Sequence, residues 1–582
     1  MVDPARLPLQ RLYRREREAA DHVYMTQPFA GGQMRDYTWR QTADEARRMA
    51  AHLEAQGWPP GSRIGILGKN SAGWIMADLA IWMAGHVSVP LYPMQIADNI
   101  RQIAGHSGMV ACFIGKLDAV DLIDGLTAAI VRLALPLAPA PVEAVAPRWE
   151  AIVATTPPVA GSPLRAGTDL CSIIYTSGTT GQAKGVIHSF DSLTAGWLAA
   201  SRSMGATPAD RLLSYLPLGH IIERSFLELA SLDAGFHVYF AESLDSFARD
   251  LQRARPTLFV SVPRLWLKFQ QAVLARMPAE RLDRLLAIPV LGCLVARKVR
   301  KGLGLDAARI SGSGSAPLSV DLLRWYDKIG IPLIEGYGMT ELGCLSHTSQ
   351  IGGPCWGTVG KTADGVDHRV DLQTGEIQVL SPGVTLGYYL APELTAELFT
   401  EDGWLRTGDK GEIDADGRLR LIGRIKDNFK SSKGKYVAPA PIEHKLIQNP
   451  SLDACLVIGA GLSQPIGIVV LNEPAIARLP AARAAIEADM ASHLQAVNAT
   501  LDPHEKLEYL VISTKAWTPE NGMLTPTLKA KRASIEKHSR RASRPGATGM
   551  RLSSGRNRPG TPAAPMATPG RRSGRAIFAG CA

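Results

Sequence analysis

The chain has 582 residues and a hydrophobic content of 46%, which predicts more than one domain and a large core. No stretch predicts a membrane span, because the best candidate, residues 72–91, is interrupted by Asp78 and His86 and fits a buried helix followed by a strand. The seven cysteines include no Cys-x-x-Cys pair, and the amino-terminal sequence lacks an apolar signal core. These features disfavour a zinc site, a disulfide framework and export, and they favour reduced thiols in the cytoplasm.

The net charge of +10 is concentrated at the carboxyl end. Residues 537–582 contain ten basic residues and no acidic one, whereas residues 1–536 contain 54 of each. This tail is rich in Pro, Gly, Ser and Ala, so we expect it to be disordered. It could bind RNA or an anionic membrane surface, or it could have no function, which is the interpretation that we favour.

The amino-terminal part alternates predicted helices and strands. Thr42-Ala-Asp-Glu45 matches a capping box at the start of a helix that ends at Gly57. Residues 63–67 then predict a strand and residues 70–84 a helix. Continued alternation predicts parallel sheets with crossover helices. Residues 116–168 are rich in Ala and Pro, and we expect an irregular segment there.

The most informative motif lies at residues 175–187, after a predicted strand, Leu170–Tyr175. Glycines in this motif let backbone N–H groups converge on one anion, its hydroxyl groups add donors, and a lysine adds a positive charge. The motif therefore predicts a polyphosphate-binding loop. A Walker loop is excluded because Lys184 is followed by Gly185 rather than Ser or Thr, and a mobile surface turn is the remaining alternative. The candidate phosphate-binding residues are Thr176, Ser177, Gly178, Thr179, Thr180, Gly181 and Lys184.

A second motif, Gly336-Tyr337-Gly338-Met339-Thr340-Glu341, follows a predicted buried strand at residues 331–335. It differs from a dinucleotide fingerprint because its sixth position is glutamate. A tyrosine between two glycines at the end of a strand can present its ring to a planar base, while Thr340 and Glu341 suit phosphate and Mg²⁺. Taken alone, the motif fits a buried core tyrosine equally well.

A third motif occupies residues 402–426, at the end of a stretch (355–423) whose short strands and Asp-Gly turns predict a small β-rich subdomain. Asp409 offers two acceptor oxygens for the vicinal hydroxyls of a ribose, and Arg424 can donate to the same sugar. A surface turn with a salt bridge would explain each residue separately. Such a turn would not explain why the motifs at residues 175–187, 336–341 and 402–426 occur together in one chain in this order.

With these motifs the chain resembles the AMP-forming acyl-CoA synthetases of the adenylate-forming enzyme family, from about Tyr37 to about Arg532. Residues 217–224, 261–266 and 433–443 resemble the long-chain fatty acid–CoA ligases within that family. The resemblance implies an α/β fold with three parts. These are a large N-terminal domain of layered α/β sheets with a small β-rich subdomain (1–423), a small mobile α+β C-terminal domain (424–536), and the disordered basic tail (537–582).

The resemblance also implies an activity. ATP would activate a fatty acid of medium or long chain to an acyl-adenylate, and CoA would then take the acyl group, with AMP and pyrophosphate as products. The implied cofactors are ATP, Mg²⁺ and the co-substrate CoA. An aryl-CoA ligase, an acyl-AMP ligase and a nucleotide-binding pseudoenzyme are the alternatives. Small molecules are the expected partners and nucleic acid is not expected, while peripheral contact with the inner membrane face and the oligomeric state stay open.

Individual roles carry over by position. The 176–185 loop would cover the β and γ phosphates, Gly336-Tyr337-Gly338 would hold adenine, and Asp409 and Arg424 would secure the ribose. Spacing to Arg532 places the adenylation lysine at Lys529, and Lys426 takes the hinge position. The implied catalytic residues are Lys529, Thr340, Glu341 and Lys184, with Glu341 also at the metal. Ala183 departs from the family, which commonly has proline there.

The small residues of segment 311–317 allow close approach of an acyl chain, so the resemblance places the substrate pocket there. His220 could line the acyl or pantetheine path, or it could simply cap the next helix. The candidate pocket residues are His220, Gly312, Ser313, Ser315, Ala316 and Gly336.

Overall fold

The computed structural model describes residues 2–177, 183–349, 356–525, 529–542 and 550–553. The chain forms two compact units. The second unit begins at Leu421 rather than at the expected boundary, residue 424, and also includes Thr374–Glu376 and Gly408–Gly411. The first unit comprises residues 1–373, 377–407 and 412–420.

The largest sheet of the first unit carries the candidate phosphate loop. Five of its strands pair in parallel, as predicted from the alternation of helices and strands. Two antiparallel strands, Ala183–Ser189 and Gly387–Tyr388, complete the sheet at one edge. The spatial order is Gly387–Tyr388, Ala183–Ser189, Leu170–Ser177, Val87–Leu91, Arg63–Leu67, Met109–Ile114 and Val131–Ala134.

Three smaller sheets are formed by other strands of residues 23–424. The first has the order Met34–Thr38, Val23–Pro28, His237–Phe240 and Arg211–Ser214. The second has the order Leu258–Ser261, Ile310–Ser313, Leu333–Met339, Cys344–Thr348 and Lys361–Thr362. The third is the predicted β-rich region, with the order Asp367–Val370, Glu376–Leu380, Leu405–Ile413 and Leu419–Arg424.

Helices connect and cover these sheets. The α-helices of the first unit are Pro8–Ala19, Trp39–Glu54, Ala72–Met83, Ala97–Ser107, Ala140–Glu143, Trp149–Thr155, Phe190–Met204, Ile221–Glu223, Ala230–Ala234, Phe247–Ala254, Pro263–Arg276, Ala279–Leu286, Leu291–Leu303, Val320–Lys328 and Pro392–Leu398. A π-helical turn spans Arg224–Leu229. Single 3₁₀ turns span Pro4–Arg6, Ala30–Gly32, Val120–Gly125 and Thr340–Leu342.

Two local predictions are wrong. Helix Trp39–Glu54 starts one turn earlier than expected, since Thr38 caps it and Gln41 completes the capping box, while Thr42 is fully buried inside the helix. Both threonines fit the pattern, and burial of the helix start decides between them. Residues 116–168 are not simply irregular, because they contribute strand Val131–Ala134 and several short helices whose apolar residues join the core.

Helix Ala72–Met83 is buried along its whole length and is followed by strand Val87–Leu91, as predicted for residues 72–91. Within the described part of the chain, no helix is both long and apolar enough to cross a bilayer. Asp78, in the middle of this helix, accepts a hydrogen bond from the guanidinium of Arg224. Burial and the Asp78 carboxyl raise the pKa of neighbouring Glu228 well above its ordinary value, because two buried carboxyl groups share the single Arg224 guanidinium.

Three glycines from distant parts of the first unit meet backbone to backbone. A Cβ atom at Gly196, in helix Phe190–Met204, would lie 2.6 Å from the Gly343 carbonyl oxygen. One at Gly343 would lie 2.6 Å from the Gly383 carbonyl oxygen, and one at Gly383 would lie 2.7 Å from the Cα of Gly196. Because any side chain here would overlap backbone atoms, glycine is required at all three positions. The contact fixes the turn at residues 340–343 against the helix.

The second unit is an α+β structure, as predicted. Its main sheet has the order Leu452–Ile458, Ile466–Leu471, Tyr509–Ser513 and Met550–Ser553. A short ribbon pairs Phe429–Lys430 with Tyr436–Val437, next to a 3₁₀ turn at Ile425–Asp427. The helices are Pro439–Leu446, Glu473–Ala499 and Arg532–Ala542.

The prediction that residues 537–582 form a disordered tail is wrong for the first part of this segment. Helix Arg532–Ala542 extends past residue 537, and strand Met550–Ser553 pairs antiparallel with Tyr509–Ser513. Backbone pairing with a sheet edge needs few apolar side chains, so composition did not reveal this strand. Residues 543–549 and 554–582 lie outside the described residues.

The glycine contact gives a direct stability prediction. We expect Gly196→Ala to lower the free energy of unfolding by about 1–3 kcal/mol, because the new methyl group overlaps the Gly343 carbonyl. Gly105→Ala is the matched control, since this helical glycine has open space around its Cβ position and should gain up to about 1 kcal/mol. Urea denaturation measures both changes, and a neutral or stabilising Gly196→Ala variant would contradict the contact.

Candidate active site

The candidate phosphate loop lies at the end of a β-hairpin. Strands Leu170–Ser177 and Ala183–Ser189 pair antiparallel, with Thr176 opposite Lys184. A strand follows the loop where a Walker loop would start a helix, which agrees with the exclusion made from sequence. The side chain of Ser177 and the predicted loop residues Gly178, Thr179, Thr180 and Gly181 lie outside the described residues, so their phosphate role stays a prediction.

Lys184 and Glu341, two predicted catalytic residues, are connected through Tyr388. The Lys184 Nζ lies 4.8 Å from the centroid of the Tyr388 ring. The Tyr388 hydroxyl donates a hydrogen bond of 2.8 Å to Oε1 of Glu341. Tyr388 is placed there because its strand, Gly387–Tyr388, pairs with the strand that carries Lys184. Tyr388 was not predicted as a site residue, because its short Gly-Tyr-Tyr segment carries no distinctive chemical pattern.

The turn Thr340–Leu342 carries Thr340 and Glu341, both of which are buried. The backbone N–H of Thr385 donates 2.8 Å to the Glu341 carbonyl. On the other side, Nε2 of His188 lies 2.8 Å from the Thr340 carbonyl. Two separate parts of the chain therefore hold the turn through its backbone.

His188 was not predicted as a site residue. Burial lowers its pKa to about 4, so the imidazole is neutral at neutral pH. Because a carbonyl only accepts, the proton is on Nε2, and Nδ1 faces the Ser192 hydroxyl at 3.0 Å. His188 thus acts as a fixed donor behind the Thr340–Glu341 turn.

Tyr337 lies inside a strand, and not at the strand end as predicted. Strand Leu333–Met339 continues through the motif and pairs antiparallel with Cys344–Thr348, with an irregularity between Tyr337 and Gly338. A side chain at Gly338 would overlap the Cys344 carbonyl oxygen, so glycine is required there. The Tyr337 ring is largely buried, 5.8 Å from the His347 ring, and its adenine role stays a prediction.

His347 stands behind Tyr337 and was also missed. Its Nε2 lies 2.7 Å from Nδ1 of His368, and its Nδ1 lies 2.9 Å from the Ser346 hydroxyl. Burial, and then the His368 ring, lower the pKa of His347 to about 3, so this ring is neutral at neutral pH. The pair ties the strand opposite Tyr337 to strand Asp367–Val370.

The predicted pocket residues Gly312 and Ser313 end strand Ile310–Ser313, which pairs in parallel with the strand of Gly336. The Ser313 hydroxyl is buried and has no hydrogen-bond partner in the described part of the chain. Ser315 and Ala316 are exposed, and Ser315 has a left-handed backbone with a φ of 71°. The structure therefore brings most of the predicted pocket set to one end of the five-stranded sheet.

Glu335 joins this pocket segment to the Gly336 strand. Its Oε1 accepts a hydrogen bond of 2.9 Å from the backbone N–H of Leu318. Burial raises the pKa of Glu335 to about 7. His220 behaves as the helix cap that the sequence offered as an alternative, since its Nδ1 accepts from the N–H of Ile222 at 3.2 Å.

In the second unit, the two predicted ribose residues contact each other. Nε of Arg424 lies 2.8 Å from Oδ1 of Asp409. The aspartate is buried and the arginine is half exposed. The salt bridge that sequence reasoning considered is present, and binding of a ribose by the same groups stays a prediction.

Lys426 and Lys529 lie near the two ends of a polar connection within the second unit. Arg532, three residues after Lys529, donates to Asp427 at 2.9 Å and to Glu443 at 2.6 Å. Asp427 ends the Ile425–Asp427 turn that contains Lys426. Lys529 itself is exposed, and its backbone N–H donates to the Thr525 hydroxyl at 3.0 Å.

Residues 12–389 match the AMP-binding enzyme family, and residues 426–538 match the AMP-binding enzyme C-terminal domain. Since the first match covers more than half of the sequence, this chain belongs to the AMP-binding enzyme family. The α/β fold and the two-unit architecture predicted from the resemblance are confirmed by this match and by the structural similarities below.

Curated relatives cover nearly the whole chain. The long-chain-fatty-acid–CoA ligase FadD15 of Mycobacterium bovis is 29% identical over 569 residues, which are 90% of this chain and 94% of the relative. The peroxisomal long chain acyl-CoA synthetase 6 of Arabidopsis thaliana is 29% identical over 583 residues, 89% and 83% of the two chains. Among solved structures, the A domain of a carboxylic acid reductase from Segniliparus rugosus is similar, with a TM-score of 0.78 at 22% identity. The similarity covers 92% of this chain and 93% of that domain.

The Tyr388–Glu341 hydrogen bond predicts a specific kinetic defect. Tyr388→Phe keeps the ring beneath Lys184 but removes the donor that orients the Glu341 carboxylate. Because Glu341 is the predicted Mg²⁺ ligand, we expect the Mg²⁺ concentration for half-maximal pyrophosphate release to rise about tenfold. Tyr389→Phe is the matched control and should leave it unchanged. An unaltered Mg²⁺ dependence in Tyr388→Phe would contradict a positioning role.

Proposed function

We propose that this protein is an AMP-forming ligase that converts a fatty acid of medium or long chain to its CoA thioester. The observation that carries the proposal is the arrangement of Lys184 and Glu341 around Tyr388 in a chain of the AMP-binding enzyme family. The names of the curated relatives, which are fatty acid–CoA ligases and acyl-CoA synthetases over most of the chain, support the choice of acid and acceptor.

The first step activates the carboxylate. A free carboxylate is a poor acyl donor because its leaving group would be oxide. One carboxylate oxygen attacks the α-phosphorus of ATP, the bond from that phosphorus to the bridging oxygen breaks, and pyrophosphate leaves. Negative charge grows on the departing phosphates, where Lys184 and the N–H and O–H donors of the 176–181 loop stabilise it.

The second step forms the thioester. The CoA thiolate attacks the acyl carbon of the acyl-adenylate, and the bond to AMP breaks. By resemblance, rotation of the second unit about Lys426 exchanges the first step for the second. Lys529 bridges the carboxylate oxygen and the α-phosphate in the first step only. Its removal should therefore slow adenylation and leave thioester formation almost unchanged.

The residues present fit a magnesium ion. Glu341 offers a carboxylate whose Oε1 is oriented by Tyr388, and Mg²⁺ in such sites takes one or two carboxylates together with phosphate oxygens and water. When bound, Mg²⁺ neutralises phosphate charge. Asp409 and Arg424, already paired at 2.8 Å, would accept from and donate to the ribose hydroxyls.

A cytoplasmic location, with peripheral contact to the membrane, completes the proposal. The described cysteines Cys112, Cys171, Cys293, Cys344 and Cys455 are all thiols, which supports a reducing compartment. An aryl-CoA ligase or an acyl-AMP ligase is the alternative in the same family. Structural neighbours such as an anthranilate CoA ligase, at 20% identity, share the fold with this chain and leave the acid open.

A panel of acids separates these activities. We expect acid-dependent release of AMP and pyrophosphate with saturated acids of graded chain length, and acyl-CoA formation when CoA is present. Benzoate and anthranilate are the matched aryl acids, and should give less than about a tenth of the turnover if the pocket is built for an alkyl chain. Acyl-adenylate that accumulates despite CoA would favour an acyl-AMP ligase. ATP binding without acid-dependent AMP would indicate a pseudoenzyme.

Lys529 has its own test. Lys529→Ala should lower adenylation by about 100-fold or more, since it removes a cation from the reacting phosphate. Thioester formation from a supplied acyl-adenylate should change little. Lys531→Ala, two residues away, is the matched control and should leave both half-reactions intact. Equal loss of both half-reactions in Lys529→Ala would refute the assignment.

A further inference from the structure

A helical hairpin in the first unit exposes a cluster of apolar side chains at its turn. Helices Ala279–Leu286 and Leu291–Leu303 form the two arms. Around the connection, the exposed fractions are 47% for Ile288, 75% for Val290, 40% for Leu291 and 58% for Leu294. We call these four residues the hairpin tip. Large apolar side chains that cluster on a surface mark an interaction site more often than single exposed ones do.

The hairpin tip is separate from the residues that hold the hairpin in the fold. Leu282 is fully buried, and Leu286, Val295, Val299 and Leu303 pack against the same core cluster. Arg300 adds a hydrogen bond of 2.7 Å to the Ile329 carbonyl. The inner face of each arm is therefore anchored without any help from the hairpin tip.

The backbone at the hairpin tip is also unusual. Val290 has a φ of 65° and a ψ of −55°, a conformation that β-branched residues adopt only at an energetic cost. A backbone hydrogen bond of 2.7 Å from the N–H of Leu291 to the Pro289 carbonyl closes this tight turn, while the Val290 side chain stays mostly exposed. A strained turn that keeps valine in solvent is consistent with a binding role.

Exposed cations flank the hairpin tip with little acidic charge between them. Only Glu280 and Asp283 are acidic in residues 263–303, and Asp283 pairs with Lys328 at 3.0 Å. Lys298 lies one turn after Leu294 on the same face of its helix. The exposed basic residues of the hairpin and the helix before it are Lys268, Arg276, Arg281, Arg284, Arg297, Lys298 and Lys301.

This chemistry fits one kind of partner, the surface of a bilayer that contains anionic lipids. Aliphatic side chains can enter the acyl region while long Lys and Arg side chains reach the phosphate headgroups. A protein interface would favour aromatic residues and few lysines, whereas residues 279–303 contain no Phe, Tyr or Trp. We propose that the hairpin tip inserts into the headgroup–acyl boundary of an anionic membrane.

The benefit of such docking rests on the proposed function. A fatty acid partitions into bilayers because its chain is apolar, so an enzyme held at the surface meets its substrate at high local concentration. Binding itself needs neither ATP nor the acid. The membrane proposal and the ligase proposal can therefore fail independently.

Co-sedimentation of the full chain with vesicles tests the proposal. With equal amounts of phosphatidylglycerol and phosphatidylcholine, we expect binding that weakens with salt, and with phosphatidylcholine alone much weaker binding. Val290→Ser/Leu294→Ser should weaken binding about tenfold or more, because it removes two apolar side chains from the bilayer. Leu244→Ser/Leu372→Ser, at two exposed leucines elsewhere in the first unit, is the matched control and should bind as the wild type does.

The other outcomes each overturn the proposal. If the wild type does not bind anionic vesicles, or if Val290→Ser/Leu294→Ser binds normally, the hairpin tip is not a membrane site. If only Arg571→Gln/Arg572→Gln/Arg575→Gln loses binding, the basic tail is the membrane contact. If Val290→Ser/Leu294→Ser instead converts an oligomer to a monomer without vesicles, the occupant is a second copy of the chain. Circular dichroism and urea denaturation without vesicles show that each variant is folded.

Discussion

The contact among Gly196, Gly343 and Gly383 is the constraint on which the candidate active site of the first unit depends. It brings a helix, a turn and a loop together at a separation that only glycine permits, although the three residues are far apart in sequence. The turn that it fixes carries Thr340 and Glu341. The loop that it fixes leads directly to Tyr388, whose hydroxyl reaches Glu341. Backbone packing among the three glycines therefore positions the segments of the site, and polar side chains add to this arrangement.

A layer of neutral donors then orients the charged groups. His188 and Thr385 hold the turn through its carbonyls, and Tyr388 orients the Glu341 carboxylate without cancelling its charge. This suits a reaction in which charge moves between phosphates, because fixed dipoles stabilise new charge without reorganising at each step. The second unit uses charge pairing instead, with Arg424 on Asp409 and Arg532 on Asp427 and Glu443.

Much of the fold and the identity of the candidate site could be predicted from sequence, because the motifs are local and each combines residue types with one chemical purpose. What could not be predicted depends on contacts between distant segments. Tyr388 and Glu341 are 47 residues apart, and His188 and Thr340 are 152 residues apart. No local sequence pattern therefore links the two residues of either pair. The helix start was misplaced because Thr38 and Thr42 both fit a capping pattern and only burial separates them.

The proposed reaction begins with attack of a carboxylate oxygen on the α-phosphorus of ATP. Acid labelled with ¹⁸O in both carboxylate oxygens tests it most directly, with mass spectrometry of the nucleotide and phosphate products after thioester formation. We expect AMP that carries one ¹⁸O, because the bridging oxygen of the acyl-adenylate leaves with AMP, and pyrophosphate that carries none. Unlabelled AMP with label in pyrophosphate would mean attack at the β-phosphorus, and ADP with label in inorganic phosphate would mean attack at the γ-phosphorus. Either result would contradict attack at the α-phosphorus.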